Sequence, residues 1–250
     1  HDALPILQFP VSVYEYIASF HHFLSAMFFH VILCYNADNG KEMICMETRR
    51  FDKKDVKEVA QYLKEGKVVA FPTDTVYGLG VIYENEEALQ ALKESKGRPE
   101  NKPIPTMVAN VEQMQQIAVM NEAACKLAKA FMPGAFTMIL KKKETLPAYV
   151  TNGFPTVGIR MPNDPFVLQL IAECGKPLLV TSANRSGEET GVRDEQVLKQ
   201  LDGRIDAIVL GEADGKLAST IVDMSTQEAV LVREGPVTAE DIQKVLSKAS

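Results

Sequence analysis

The stretch VVAFPTDTVYGLG, residues 68–80, sets the strongest constraint on what this chain can fold into. Val68, Val69, Ala70 and Phe71 are β-branched, small or aromatic and uncharged, which predicts a short interior strand. Pro72 donates no backbone hydrogen bond, so the ladder is expected to end there. Thr73, Asp74 and Thr75 then cluster at the strand end, and Gly78 and Gly80 allow close backbone approach or positive φ on the way out. The pattern recurs in PLLVTSAN, residues 177–184, an apolar run that ends in Thr181, Ser182 and Asn184. In open α/β sheets, strand ends are the usual place for a ligand. The plainer reading is a hydroxyl-rich turn with a structural tyrosine, Tyr77.

The rest of the composition narrows the chemistry. All four histidines lie at or before His30, so the 205 residues from Met46 onward contain none. That excludes a Ser-His-Asp triad, a Cys-His dyad and a His-ligated metal site from the main domain. The net charge is −6, which argues against nucleic acid being held by bulk electrostatics but leaves room for a local basic patch. Cys34, Cys45, Cys125 and Cys174 are widely spaced with no CxxC, so neither a zinc ribbon nor a disulfide scaffold is suggested. A reducing cytoplasm is the expected setting. Cys125 and Cys174 fall on predicted helices with apolar neighbours and read as core.

Residues 1–45 differ from the remainder in being aromatic-rich, with one lysine and no arginine. The apolar run at 14–34 raises a membrane span, but Glu15, His21, His22 and His30 interrupt it and no basic segment precedes it. No membrane association is expected. The segment reads as an atypical N-terminal extension, either an appendage or a product of start-site choice, with Met43 and Met46 as alternative starts. Residues 46–250 form the main domain.

Within that domain, Asp52 or Asp55 caps a helix carrying Val56, Val59 and Leu63, which Gly66 ends. Helices are predicted around 86–95, twice across 111–131, from 165 after an Asp164 cap, and over about 238–247. Strands are predicted at 104–109, in PGAFTMILKKK, TVGIRMP, DAIVLG, STIVDM and AVLVRE, besides the two already quoted. Several strand pairs are joined too briefly for a helical crossover, so the α/β sheet should be mixed.

Isolated cations stand near the polar strand ends. Arg160 lies inside VGIRMP and Arg233 inside LVREG, where a charge is costly unless it meets a counter-charge. Lys96, Arg98 and Lys102 lie in SKGRPENKP. Each has a plain alternative: an internal salt bridge or edge residue for the two strand arginines, a solvated loop for the others. A set of Lys, Arg, hydroxyls and backbone amides suits a phosphorylated and carboxylated substrate, because guanidinium forks bind both anions bidentately. No GxxxxGK[ST], GxGxxG or kinase-like set is present. GEADGK, residues 211–216, has the wrong ending for a phosphate loop and reads as a turn.

KVVAFPTDTVYGLG, KGRPENKP, PGAFTMIL, TVGIRMP, LLVTSANRSG, STIVD and VREG follow one another in the order and spacing of the YrdC family, which the chain resembles over nearly all of residues 53–246. The resemblance implies a single YrdC-like α/β domain with a twisted, mixed and largely antiparallel sheet flanked by helices, in the short form without an added C-terminal domain. It implies L-threonylcarbamoyladenylate synthesis from L-threonine, bicarbonate or CO2 and ATP, for the N6-threonylcarbamoyladenosine modification of tRNA. The family's KxR and SxN signatures fall on Lys96–Arg98 and Ser182–Asn184. Lys96, Arg98 and Ser182 are the implied catalytic residues. Those three with Thr156, Asn184, Thr190 and Arg233 are the implied ATP set, and Thr73, Thr75, Arg160 and Thr220 the implied threonine set. Mg2+ is expected to arrive with ATP, with no metal site of the protein's own. Downstream tRNA-modification proteins are the implied partners, and weak tRNA binding is a further expectation. The alternative is a non-catalytic RNA-binding module of the same fold, for which Lys141, Lys142 and Lys143 would add to the basic patch.

Overall fold

In the computed structural model, which describes residues 31–35, 42–97, 102–215, 218–226 and 228–247, the chain separates between Glu47 and Thr48 into two units. In the first, β1 (Val31–Tyr35) pairs antiparallel with β2 (Glu42–Met46), Val31 opposite Met46. Most of the apolar run weighed as a membrane span lies outside the described residues. No helix among the described residues is long and apolar enough to cross a membrane.

The second unit is built on one mixed sheet. Its strands are β3 (Arg49–Phe51), β4 (Val69–Phe71), β5 (Gly78–Ile82), β6 (Thr106–Met107), β7 (Phe136–Lys141), β8 (Thr156–Arg160), β9 (Leu178–Ser182), β10 (Ala207–Val209), β11 (Thr220–Asp223) and β12 (Val230–Arg233). Their order across the sheet is β12-β11-β7-β8-β6-β9-β5-β4-β10-β3. The β3/β10, β10/β4, β6/β8 and β7/β11 pairs are parallel and the others antiparallel. The expected mixed sheet is therefore present.

The helices are α1 (Val56–Lys64), α2 (Glu86–Lys96), α3 (Val111–Ile117), α4 (Glu122–Phe131), α5 (Pro165–Cys174), α6 (Asp194–Leu201) and α7 (Ala239–Leu246). Their starts are set by side-chain caps. Asn85, Asn110, Asn121 and Asp164 each accept a backbone N–H three residues on, at 2.8–3.0 Å, satisfying a donor that the first turn leaves without an intrahelical partner.

Strand side chains alternate between two cores, as a period of two requires. Ala70, Leu79, Val81, Leu179, Ile159, Phe136 and Met138 face one core, covered by α2, α3, α4, α6 and α7. Val69, Phe71, Ile82, Met107, Leu178 and Val180 face the other, covered by α1 and α5. Each fully buried Leu, Ile, Val or Phe contributes about 1.5–3 kcal/mol of hydrophobic stabilisation. The second core ends at β6 and β9. On the same face beyond it, Thr156 and Gly158 of β8, Ile139 of β7 and Ile221 of β11 are only half-buried. Among the described residues no helix covers this face across β8, β7, β11 and β12, which leaves roughly half of it open.

Three expectations are corrected. Of the two readings of Gly78 and Gly80, close approach holds and positive φ does not: the segment is a strand paired antiparallel with both β4 and β9, not the start of a turn. The strand foreseen at 104–109 is paired only over Thr106–Met107. Cys125 is exposed, because the core face of α4 is Ala124, Leu127 and Ala128, whereas Cys174 is buried as foreseen. β3 and α6 had no strong sequence signal.

Candidate active site

The open half-face is framed by the loop between β4 and β5. Thr73, Asp74 and Thr75 are all buried there. The loop is clamped from behind by the segment 211–215, where Asp214 N–H bonds to Thr73 O (3.2 Å) and Gly215 N–H to Thr75 O (2.9 Å). The described part of GEADGK, residues 211–215, is therefore a connection that fixes the site loop, and Lys216 lies outside the described residues. Tyr77 is fully buried, with its hydroxyl 2.9 Å from both Val209 O and Gly211 O. Burial holds its proton well above the usual phenol range, with the acidic residues Asp194 and Glu195 adding to the effect.

Arg160, at the end of β8, is buried and meets that loop. Its Nη2 donates to Asp74 Oδ1 at 2.6 Å, its Nη1 to Thr75 Oγ1 at 3.1 Å and its Nε to Gly134 O at 3.4 Å. Asp74 Oδ2 accepts from Asn163 N–H at 3.0 Å. Burying this pair costs several kcal/mol per ion unless the charges meet and their other groups are satisfied, and here both carboxylate oxygens are. Thr73 Oγ1 donates to Val76 O (2.8 Å) and accepts from Thr75 N–H (3.2 Å). Its proton is therefore committed, and the Thr75 hydroxyl, 3.2 Å away, is the one whose proton can be redirected to a ligand.

The second cluster joins the two sequence signatures. Lys96, the last residue of α2, is 2% exposed and donates its ammonium to Ser182 O, Asn184 O and Asn184 Oδ1. Ser182 Oγ also donates to Asn184 Oδ1, at 2.5 Å. The Asn184 Nδ2 donates to Arg185 O and Glu188 O at 2.9 and 2.8 Å. Asn184 is saturated within the protein, so its part is to hold Lys96, Ser182 and the 185–188 loop together. Arg98 lies outside the described residues. Thr190 is exposed on the same loop.

The register relates these clusters. Arg160 stands level with Met107 and Leu178. Continuing four residues along β8 and β9 brings Thr156 level with Ser182, roughly 13 Å along the face from Arg160. Lys141 lies directly opposite Thr156. Arg233, Ile221, Thr137 and Arg160 form one row across β12, β11, β7 and β8. Arg233 therefore stands in the row of Arg160, not in that of Ser182. Its Nε and Nη2 bond to Ser219 O (3.0 and 2.7 Å) and Nη2 to Ser219 Oγ (3.2 Å). Among the described residues no carboxylate lies within ion-pair distance of it, so its charge is available to an anion. Ser219 Oγ continues to Thr137 Oγ1 at 2.9 Å.

Thr220 is placed otherwise than the expected threonine pocket requires. It is fully buried level with Phe136, donates to Val237 O (2.8 Å) and accepts from Val237 N–H (3.0 Å). With a period of two, the hydroxyl that reaches the open face at this point is Ser219. Ser219, Thr137 and Asn163 were not singled out from sequence. The available signal was indirect: a buried strand arginine requires a counter-charge, and Asp74 stood among the strand-end polar residues.

The Sua5/YciO/YrdC family model, described as "Telomere recombination", matches residues 61–235. The threonylcarbamoyl-AMP synthase of Bacillus subtilis (strain 168) is 41% identical over 194 residues, which are 76% of this chain and 56% of the relative. The Pyrococcus abyssi protein of the same name is 37% identical over 201 residues, 80% of this chain and 59% of the relative. The chain spans little more than half the length of these two relatives. The crystal structure of P. abyssi Sua5 complexed with L-threonine matches with a TM-score of 0.74 at 36% identity, covering 80% of this chain and 60% of that one. By sequence and by fold, the chain belongs to the Sua5/YciO/YrdC family.

Proposed function

We propose that the chain is an ATP-dependent L-threonylcarbamoyladenylate synthase, a nucleotidyltransferase acting in the cytoplasm ahead of the proteins that modify tRNA. The observation that carries this reading is the open half-face with two polar ends. Arg160 and Thr75 suit an amino-acid carboxylate and hydroxyl, while Lys96 and Ser182 lie where SxN meets KxR. The names of the relatives, and the L-threonine held by P. abyssi Sua5, point the same way.

The chemistry needs no histidine. The threonine amine adds to bicarbonate, giving the carbamate and water. A carbamate oxygen then attacks the α-phosphorus of ATP, and pyrophosphate leaves. Both steps depend on packing anions together and on offsetting charge as it moves between oxygens. Holding carbamate and nucleotide in line is worth at most about 7–11 kcal/mol of the barrier. In this reading Arg160 receives the threonine carboxylate and Thr73 and Thr75 line the amino-acid end. Lys96, Arg98, Thr156, Ser182, Asn184, Thr190 and Arg233 serve ATP, Asn184 by fixing Ser182 and Lys96. Mg2+ would neutralise phosphate charge. Among the described residues no three His, Cys, Asp or Glu side chains are grouped to hold a metal, so the ion would be held chiefly by the phosphates, with the Ser182 hydroxyl as the protein oxygen nearest to them in this reading.

Pyrophosphate release by the full chain, with ATP and Mg2+, tests this. Release should require both L-threonine and bicarbonate and fall sharply in Ser182→Ala. Threonine-independent release, or none from folded protein, would sink the reading. Salt-dependent tRNA binding without release would favour the RNA-binding module instead.

A further inference from the structure

We propose that Asp74 is a positioning residue of the amino-acid subsite, fixing the Arg160 guanidinium for a substrate carboxylate and acting only through Arg160. The proposal rests on the reading of Arg160 as the threonine-carboxylate partner.

Arg160 has five N–H groups, of which one goes to Gly134 O, one to Thr75 Oγ1 and one to Asp74 Oδ1. One N–H therefore remains on each terminal nitrogen, the number a bidentate carboxylate takes. Asp74 has no capacity to meet the same substrate group. Its two oxygens are engaged by Arg160 and by Asn163 N–H, and its charge has the sign of the carboxylate it would meet. Its side chain is 6% exposed.

What Asp74 has is a fixed position. The carbonyls of its neighbours Thr73 and Thr75 are both bonded to backbone N–H groups of Asp214 and Gly215. The peptide unit before Asp74 is thus tied down through Thr73 O, the one after it is held by Thr75 N–H donating to Thr73 Oγ1 at 3.2 Å, and Asn163 N–H holds the far carboxylate oxygen. A long, multiply rotatable arginine is presented to the open face by a short acid that cannot move. Thr75 Oγ1, on Nη1, makes the second point of the same cradle.

The test is isothermal titration calorimetry of the full chain with L-threonine, and separately with Mg-ATP. The variants are Asp74→Asn, Asp74→Glu and Arg160→Lys, with Asp74→Asn also made on the Arg160→Lys background. Asp74→Asn should weaken threonine at least tenfold while leaving ATP within twofold. Asp74→Glu keeps the charge but moves it by one methylene, and should also weaken threonine; it serves as well if the amide variant folds poorly. On the Arg160→Lys background, Asp74→Asn should cost less than threefold, because a residue acting through Arg160 has nothing left to position. Wild-type threonine affinity in Asp74→Asn, full recovery in Asp74→Glu, equal losses for threonine and ATP, or the same tenfold loss on both backgrounds would each overturn the assignment. If the wild-type chain binds no threonine, the reading of Arg160 falls and Asp74 falls with it. If the wild type binds and Asp74→Asn binds equally well, only the role of Asp74 fails.

Discussion

At the scale of single residues, Lys96 couples the two signatures. Its ammonium is bonded to three oxygens of Ser182 and Asn184, so removing it strips donors from the turn that the nucleotide is proposed to meet. Losing charged-donor hydrogen bonds at a buried site costs about 1.5–3 kcal/mol of stability. Losing a fixed positive charge beside developing negative charge costs about 10²–10³-fold in rate. Lys96→Ala should therefore melt at lower temperature and release pyrophosphate at least 100-fold more slowly, roughly, and Lys96→Arg should not restore the rate because a planar fork does not replace a point donor in this site. Ser219 and Thr220 make a second test. Thr220→Val removes both bonds to Val237, so stability should fall by about 1–3 kcal/mol in urea unfolding while both substrate affinities hold. Ser219→Ala frees Arg233 and Thr137 from their shared hydroxyl, so it should weaken ATP several-fold with a smaller loss of stability. The reverse outcome would show that Thr220 is the residue facing the site.

At the scale of elements, β5 shows why part of the fold was illegible. Gly78 and Gly80 look like turn residues, and local reading has no means of seeing what fills their place. A Cβ on Gly80 would come 2.8 Å from Phe71 Cε1 and 3.1 Å from its Cζ. The glycines leave room for a ring from the neighbouring strand, a cross-strand relation that no local window contains. Gly80→Ala should consequently destabilise the protein by about 1–3 kcal/mol through overpacking, and Phe71→Leu in the same chain should recover part of that loss in denaturant unfolding. Where the signal was local, the sequence reading held. The Asp164 cap, the 3.6-residue spacing of α1 and the β-branched runs of β8 and β9 are each decided within a few residues. The site divides the same way. The strand-end position of Thr73, Thr75 and Ser182 and the isolation of Arg160 were visible in one dimension. The partners of Arg160, the saturation of Asn184 and the choice of Ser219 over Thr220 depend on register and on a loop about 140 residues away in the chain.

At the scale of the whole unit, the same sheet supplies both stability and site by being covered unequally. One face is packed along its length, and the other is packed by α1 and α5 only across β3, β10, β4, β5, β9 and β6. The covered half holds groups that must stay uncharged for the fold to persist. Cys174 is in that core, and burial pushes its thiol from 9.0 up to about 12, an effect that Lys64 opposes and Glu173 adds to. Tyr77, at the junction of β5 with the site loop, is shifted upward by burial as well. For a group whose pKa is raised on folding, the unfolded chain loses the proton first. Stability is then fully present below pH 9 and declines as pH rises toward 12, at up to about 1.4 kcal/mol per pH unit for one thiol. Urea unfolding at pH 8, 9, 10 and 11 should show that decline. Cys174→Ala should be less stable at pH 8, from the lost volume, yet lose less than the wild type between pH 9 and 11. Parallel pH curves for the two proteins would show that the thiol is not the group responsible and leave the tyrosines that burial shifts upward, Tyr77 with its contacts to Val209 and Gly211, Tyr83 and Tyr149, as the source of the alkaline limit.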